Sequence, residues 1–137
     1  MNKKILIIDN NHKGVILMYR QLKNYGYEEV TWARTGKEGL REITDITDGK
    51  THLVIILTEL SDMNGYEVCR QIKKDYRGDI KVILMAGLVE MMDIPRAMEA
   101  GADDYVVRTS NYMLLLNSVK KMFVPGEADE RGVSSKE

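Results

Sequence analysis

In the segment Lys4-Ile5-Leu6-Ile7-Ile8-Asp9, the four residues from Ile5 to Ile8 form an unbroken apolar run that ends at the carboxylate of Asp9. Such a run is typical of a parallel β-strand whose two faces are both covered by helices. Further strand-like runs follow along the chain: Val30-Thr31-Trp32, Leu53–Leu57, Val82–Met85 and Tyr105-Val106-Val107. Each run ends where residues of helical spacing begin, so the chain reads as alternating strands and helices.

The intervening segments repeat apolar residues at helical spacing, and their ends carry recognisable signals. Gly26 and Gly101 are expected to end helices, whereas Asn64, Asp93 and Ser110 are expected to cap the starts of helices. The residues predicted to face inward are Val15, Met18, Leu22 and Tyr25; Leu40, Ile43 and Ile46; Val68, Cys69 and Ile72; Ile94, Ala97 and Met98; Leu115, Val119 and Met122. Five βα units predict a three-layer α/β domain, a doubly wound five-stranded parallel sheet with helices on both faces.

The length and composition of the chain limit the classes of protein to which it can belong. With 137 residues, one domain is expected: residues 1–123 as the folded unit and residues 124–137 as a mobile tail or linker. A net charge of −1 gives no electrostatic footprint for nucleic acid or for an anionic membrane. Apolar runs too short for a membrane span, together with an N-terminus without a signal pattern, favour a cytoplasmic protein.

In an open parallel sheet, functional groups gather beyond the carboxyl ends of the strands. The positions to consider are therefore Asp9 and Asn10, residues 57–65, Ala86 and its neighbour, and residues 108–110. The residues after the first strand lack the glycine-rich pattern of a nucleotide-binding loop.

Several fragments, in order, carry a family resemblance. They are Lys4-Ile5-Leu6-Ile7-Ile8-Asp9, Gly26-Tyr27-Glu28, Ala33-Arg34-Thr35-Gly36-Lys37-Glu38-Gly39-Leu40, Met63-Asn64-Gly65-Tyr66-Glu67-Val68-Cys69 and Ala100-Gly101-Ala102-Asp103-Asp104-Tyr105-Val106-Val107. Over about residues 3–123 the chain resembles the response-regulator receiver domain family of two-component signalling. The resemblance implies a flavodoxin-like receiver fold with strand order 2-1-3-4-5.

The resemblance also implies where the family's phosphorylation chemistry falls in this chain. In the family, a carboxylate after the third strand accepts phosphate, an acidic pair helps it to hold Mg²⁺, and a hydroxyl and a lysine bind the phosphoryl group. The matching positions here are Asp9 and Asn10 for the acidic pair, Leu57 for the acceptor, Ala86 for the hydroxyl, Arg108 for the lysine and Tyr105 for the switch aromatic. Most of these groups cannot perform the implied chemistry.

A degenerate phosphorylation pocket is therefore expected, with no catalytic residue, no cofactor and no metal site beyond Asp9 as a weak remnant. Arg108 is expected to pair with Asp9 across the pocket, because a guanidinium matches a carboxylate as a two-pronged donor. Leu57 is expected to stabilise the unliganded fold by ~1–2 kcal/mol relative to a buried charge. The chain is expected to be a non-enzymatic, phosphorylation-independent interaction module, a pseudo-receiver.

The resemblance implies a partner face formed by the fourth helix, the fifth strand and the fifth helix. Apolar residues in excess of the inward stripes are assigned to it: Leu88, Val89, Met91, Met92, Tyr105, Leu114, Leu116 and Phe123. The expected partners are signalling proteins: a kinase, another receiver, an output domain or a second copy of the chain.

Two alternatives stay open. Glu59 or Asp62, displaced along the loop after the third strand, could accept phosphate in place of Leu57. The crevice beyond the strand ends could instead hold a small molecule and act as a sensor.

Overall fold

A computed structural model describes residues 3–47, 49–87 and 92–124 of the chain. In chain order its elements are β1 (Lys4–Ile8), α1 (His12–Asn24), β2 (Glu29–Ala33), α2 (Gly36–Thr44), β3 (Leu53–Leu57), α3 (Gly65–Tyr76) with a short 3-10 turn (Arg77–Asp79), β4 (Lys81–Ala86), α4 (Ile94–Glu99), β5 (Asp104–Val107) and α5 (Met113–Phe123). The five strands are all parallel, in the order β2-β1-β3-β4-β5. The predicted fold class and strand order are confirmed.

The sheet separates two hydrophobic cores because successive strand residues point to opposite faces. One core lies between the sheet and the helices α1 and α5; its members include Ile5, Ile7, Val15, Leu57 and Val119. The other core lies beneath α2, α3 and α4; its members include Leu6, Ile8, Ile43, Val68 and Ile72. Central strands β1 and β3 are buried at every residue, as their unbroken apolar runs predicted.

Several predicted helix ends are confirmed by their backbone geometry. The side chain of Asn64 accepts from the N–H of Glu67 at 2.8 Å, and that of Asp93 accepts from the N–H of Arg96 at 3.2 Å. Gly101 has a φ of 86°, a left-handed conformation that glycine adopts without strain. Local sequence signals therefore predicted these helix boundaries correctly.

The predicted cap at Ser110 is wrong. Helix α5 begins three residues later, after Tyr112 in a left-handed conformation with φ of 58°. The side chain of Asn111 accepts from the N–H of Met113 at 3.1 Å, and the buried Tyr112 hydroxyl donates to the carbonyl of Gly14 at 3.3 Å. This long-range contact, which local sequence does not encode, accompanies the later start of the helix.

The predicted inward face of α4 is also wrong in two of its three members. Only Ala97 is buried, whereas Ile94 is exposed and Met98 is 66% exposed. The helix has six residues and reaches the core through a single small side chain, so its larger apolar residues face solvent. Tyr25 and Ile46 are exposed as well, because α1 ends before Tyr25 and α2 ends before Ile46.

The predicted tail, residues 124–137, lies outside the described residues apart from Val124, so the boundary at residue 123 stays a prediction. Within the described ranges, no helix is long and apolar enough to cross a membrane.

Candidate functional site

Leu57 and Ala86 are the last residues of the adjacent strands β3 and β4, and Asp9 and Arg108 directly follow β1 and β5. The parallel register places the residue after β1 beside the last residue of β3. The backbone N–H of Arg108 donates to the carbonyl of Ala86 at 2.8 Å, which joins the ends of β4 and β5. These four residues thus lie close together along the carboxyl edge of the sheet, while the neighbouring Asn10 is exposed.

Asp9 is fully buried although its carboxylate is only half satisfied. Its Oδ1 accepts from the N–H of Asn11 at 2.8 Å, while its Oδ2 has no hydrogen-bond partner among the described residues. Burial raises the pKa of the Asp9 carboxyl, and the Asn11 hydrogen bond and the charge of Arg108 oppose this only in part. The buried anion is therefore an unfavourable feature of the unliganded fold.

The predicted salt bridge between Asp9 and Arg108 is wrong. No ion pair within 4.0 Å joins them, and Arg108 acts on Asp9 only through its longer-range charge. The guanidinium lies over the first turn of α1, where its Nη1 would be 2.7 Å from a Cβ on Gly14. Because Gly14 has no side chain, the long arginine occupies the surface of that helix instead of the pocket floor.

Leu57 belongs to the core beneath α1 and α5 and is 7% exposed. A Cβ at Gly65 would overlap the carbonyl oxygen of Leu57 and lie 2.9 Å from the Cα of Thr58, so only glycine permits α3 to start this close to β3. An apolar side chain offers neither a nucleophile nor a metal ligand. Mg²⁺ takes several oxygen ligands, and the donor set here, with Leu57 in place of a carboxylate, does not fit that ion.

The described residues also lack a cluster of metal-binding side chains elsewhere. Across residues 3–47, 49–87 and 92–124, no group of three or more His, Cys, Asp or Glu residues lies close enough to hold an ion.

The carboxylate of Asp62 caps the N-terminus of helix α2. Its two oxygens accept from the N–H groups of Gly36 at 2.9 Å and Lys37 at 3.0 Å. Although partial burial acts to raise it, the pKa of Asp62 is held below its ordinary value by these hydrogen bonds. Glu59, the other displaced carboxylate, lies at an isolated antiparallel bridge with Asn64.

A groove of about 410 Å³ lies between α4, β5 and α5. Its lining includes Met92, Ile94, Tyr105, Val107 and Leu114. All except Met92 expose more than a third of their surface, so the groove presents contiguous apolar area to solvent.

The groove has a polar end. There the carboxylate of Asp104 accepts from the hydroxyl of Ser118 at 2.5 Å and lies 3.4 Å from the Nζ of Lys121. Since these polar groups satisfy one another, the apolar floor is flanked by a charged but internally paired rim.

The structure changes the predicted membership of the partner face. Met92, Tyr105 and Leu114 line the groove. Leu116 does not contribute, because it is 5% exposed in the core beneath α1 and α5. Phe123 packs against Tyr27 on the other side of α5, with ring centroids 5.6 Å apart.

The remaining predicted members, Leu88, Val89 and Met91, lie outside the described residues. Ile94 and Val107 also line the groove, although neither belongs to the predicted partner face.

The response regulator receiver domain family matches residues 5–120 of the chain. The chain belongs to this family. Receiver domains are signalling domains that interact with kinases and other signalling partners.

Relatives of this receiver include curated proteins and solved structures. It is 31% identical over 108 residues to the alkaline phosphatase synthesis transcriptional regulatory protein PhoP of Bacillus subtilis, covering 79% of this chain and 43% of PhoP. The CheY-like response regulator receiver domain protein of Methanospirillum hungatei superposes with a TM-score of 0.77 at 29% identity, over 96% of this chain and 100% of that one.

A third relative is also known from a solved structure. The response regulator TrrA of Thermotoga maritima, in complex with Mg²⁺ and BeF, has a TM-score of 0.72 and 31% identity, covering 88% of this chain and 98% of TrrA. The receiver spans about half the length of the curated relatives it matches.

Sequence reasoning missed one residue that shapes the receiver's pocket. The indole Nε1 of Trp32 on β2 donates to the backbone carbonyl of Asp9 at 2.7 Å. His12 and Arg34 lie on the same indole, with distances of 5.3 Å and 5.7 Å to its centroid. A partly buried tryptophan needs an acceptor for its N–H, and this requirement was the available signal.

Proposed function

We propose that this receiver transmits signals through phosphorylation-independent protein association. The observation that carries the proposal is Leu57, a buried apolar residue at the position where the family resemblance places the phosphate acceptor. Ala86 and Arg108 replace the implied hydroxyl and lysine, so three of the groups that would read a phosphate are changed together. Cytoplasmic location and the absence of nucleic-acid and membrane partners remain predictions.

The contact surface is the groove between α4, β5 and α5. Its floor joins exposed side chains of Ile94, Tyr105, Val107 and Leu114, which a partner of matching shape would bury. The buried Ala86 has no hydroxyl that could draw Tyr105 inward, so the aromatic stays available on the surface. A signalling protein, such as a kinase, another receiver or an output domain, is the proposed partner class, with a second copy of the chain as the homodimeric case.

The phosphorylation half of the proposal is tested by intact-mass spectrometry after incubation with acetyl phosphate and Mg²⁺, beside an ordinary receiver. We expect full labelling of the ordinary receiver and no phosphoryl adduct on this chain. A hydroxylamine-sensitive adduct would overturn the proposal, and peptide mapping would show whether Glu59 or Asp62 carries it. Asp62 already caps α2, which argues against its use.

The association half is tested with two matched substitutions, Leu114→Glu in the groove and Leu17→Glu on α1. The two leucines are 48% and 49% exposed, so both variants should fold equally well. Sedimentation measures self-association, and titration measures the affinity for a partner purified with the native chain. We expect Leu114→Glu to weaken the contact roughly 10-fold or more, while Leu17→Glu leaves it unchanged; the reverse pattern would place the contact on α1.

One observation favours a ligand in the strand-end crevice as a second candidate function. Asp9 Oδ2 is buried without a partner among the described residues and would accept a hydrogen bond from a small molecule. A thermal-shift screen tests this candidate, because a ligand that binds only the native state raises the melting temperature.

A further inference from the structure

The hydroxyl of Tyr66 lies at the start of helix α4, although Tyr66 itself belongs to the first turn of α3. It donates to the Sδ of Met92 at 3.4 Å and accepts from the backbone N–H of Asp93 at 3.1 Å. The N–H groups at the start of a helix have no partner within the helix. The Tyr66 hydroxyl supplies such a partner from another element, and it thereby helps to determine where α4 begins.

The ring of Tyr66 makes a third contact with the same helix. The guanidinium of Arg96 lies 4.7 Å from the ring centroid, within the range of a cation–π interaction. The backbone N–H of Arg96 is in turn bound by the side chain of Asp93. One side chain of α3 therefore contacts three residues in and just before the first turn of α4.

Helix α4 depends on such outside contacts more than the other helices do. It has six residues, and Ala97 is its one buried member. Helices of this length are unstable alone and take their stability from packing. The loop residue Met92 and the helix residue Ile94 also form one wall of the groove between α4, β5 and α5.

We propose that Tyr66 is a positioning residue for this groove: its hydroxyl anchors the first turn of α4 and so holds the wall formed by Met92 and Ile94 in its binding geometry. The proposal rests on the proposed function for the use of the groove, but the anchoring itself is measurable without any partner. A preformed wall lowers the ordering that a partner must impose, and so raises affinity without a new contact.

The variant Tyr66→Phe tests the anchoring, because it keeps the ring and its contact with Arg96 and removes only the hydroxyl. Hydrogen–deuterium exchange followed by mass spectrometry reports on residues 92–99 and on the central strands at the same time. We expect exchange in residues 92–99 to accelerate roughly five-fold, the factor for one lost hydrogen bond, with β1 and β3 unchanged.

Tyr76→Phe is the matched control. Tyr76 lies at the other end of α3 and packs partly buried against the same core, and its hydroxyl has no hydrogen-bond partner in the described part of the chain. This control should leave the exchange of α4 unchanged. Unaltered exchange of residues 92–99 in Tyr66→Phe would overturn the proposal, and so would an equal acceleration in every segment, because Tyr66 would then act as an ordinary core residue.

The affinity measurement separates this inference from the proposed function. With Tyr66→Phe, we expect weaker self-association or partner binding by a similar factor, while Leu114→Glu removes a groove contact directly. If exchange of α4 accelerates and neither variant changes the affinity, the anchoring stands and the groove is refuted as the contact surface. If Leu114→Glu weakens binding and Tyr66→Phe does not, the groove stands and the positioning role is refuted.

Discussion

Replacing Asp9 by asparagine should stabilise this protein at neutral pH. The ionised carboxylate is fully buried and leaves Oδ2 without a partner among the described residues. An unsatisfied buried polar atom destabilises the native state by about 1–3 kcal/mol, and more when it is charged. Asparagine keeps an oxygen for the Asn11 N–H but adds an N–H₂ group that also needs partners, so we expect a net gain of about 1–2 kcal/mol.

Thermal denaturation at several pH values measures the effect. A gain of this size corresponds to a melting temperature higher by about 3–8 °C in a domain of this length. Because burial raises the pKa of Asp9 in the native state, the native protein binds the proton more tightly than the unfolded chain does. The wild type therefore gains stability as the pH falls through the native pKa of Asp9. The difference in melting temperature between the wild type and Asp9→Asn should accordingly become smaller towards acid pH.

Asp62→Asn is the control of opposite sign. This carboxylate accepts hydrogen bonds from two N–H groups of α2 and has a lowered pKa in the native state. Its contribution to the free energy of unfolding is therefore present above the pKa of the unfolded chain, and it is lost as the pH falls through the pKa of the native state. The Asn variant should melt below the wild type at neutral pH. A lower melting temperature for Asp9→Asn at neutral pH would refute the reasoning, since it would show that a bound cation or the charge of Arg108 makes the ionised carboxylate stabilising.

Three further predictions concern the termini of β3. The pKa of His52 is lowered by burial and by nearby lysines, and its Nδ1 accepts from the N–H of Lys4 at 3.0 Å. The free energy of unfolding should therefore fall as the pH drops below about 6.5. The variant His52→Asn keeps an acceptor and should make the free energy of unfolding less dependent on pH in that range. Gly65→Ala should lower the unfolding free energy by about 1–3 kcal/mol in chemical denaturation, whereas Gly78→Ala should not, because a Cβ at Gly78 would meet open space. Leu57→Asp should lower the melting temperature in metal-free buffer by an amount equivalent to about 3 kcal/mol, through lost packing and a second buried charge; unchanged melting would show that the site is already hydrated.

The sequence predicted the sheet and its order well, because buried parallel strands leave continuous apolar runs such as Leu53–Leu57 and because cap residues such as Asn64 act within one helical turn. It failed where a distant residue determined the local geometry. The start of α5 follows Tyr112, which reaches across to Gly14, and this later start accompanies the burial of Leu116.

In the candidate site too, the sequence predicted positions along the chain better than contacts between distant side chains. Counting along the chain identified which residues stand at the strand ends, since a parallel sheet places the ends of its strands together. It could not give the direction of a long flexible side chain, and Arg108 lies over α1 instead of pairing with Asp9. Nor could it foresee that Asp62 would cap a helix 25 residues earlier in the chain.

The indole of Trp32 gives the pocket an intrinsic optical signal. The chain contains a single tryptophan, and its N–H is bonded to the backbone of Asp9 while the imidazole of His12 lies beside its ring. Fluorescence from this one chromophore therefore reports on the segment that carries the buried carboxylate, without contributions from another indole. Stopped-flow mixing with candidate ligands or partners could follow rearrangement of that segment in real time and without a label.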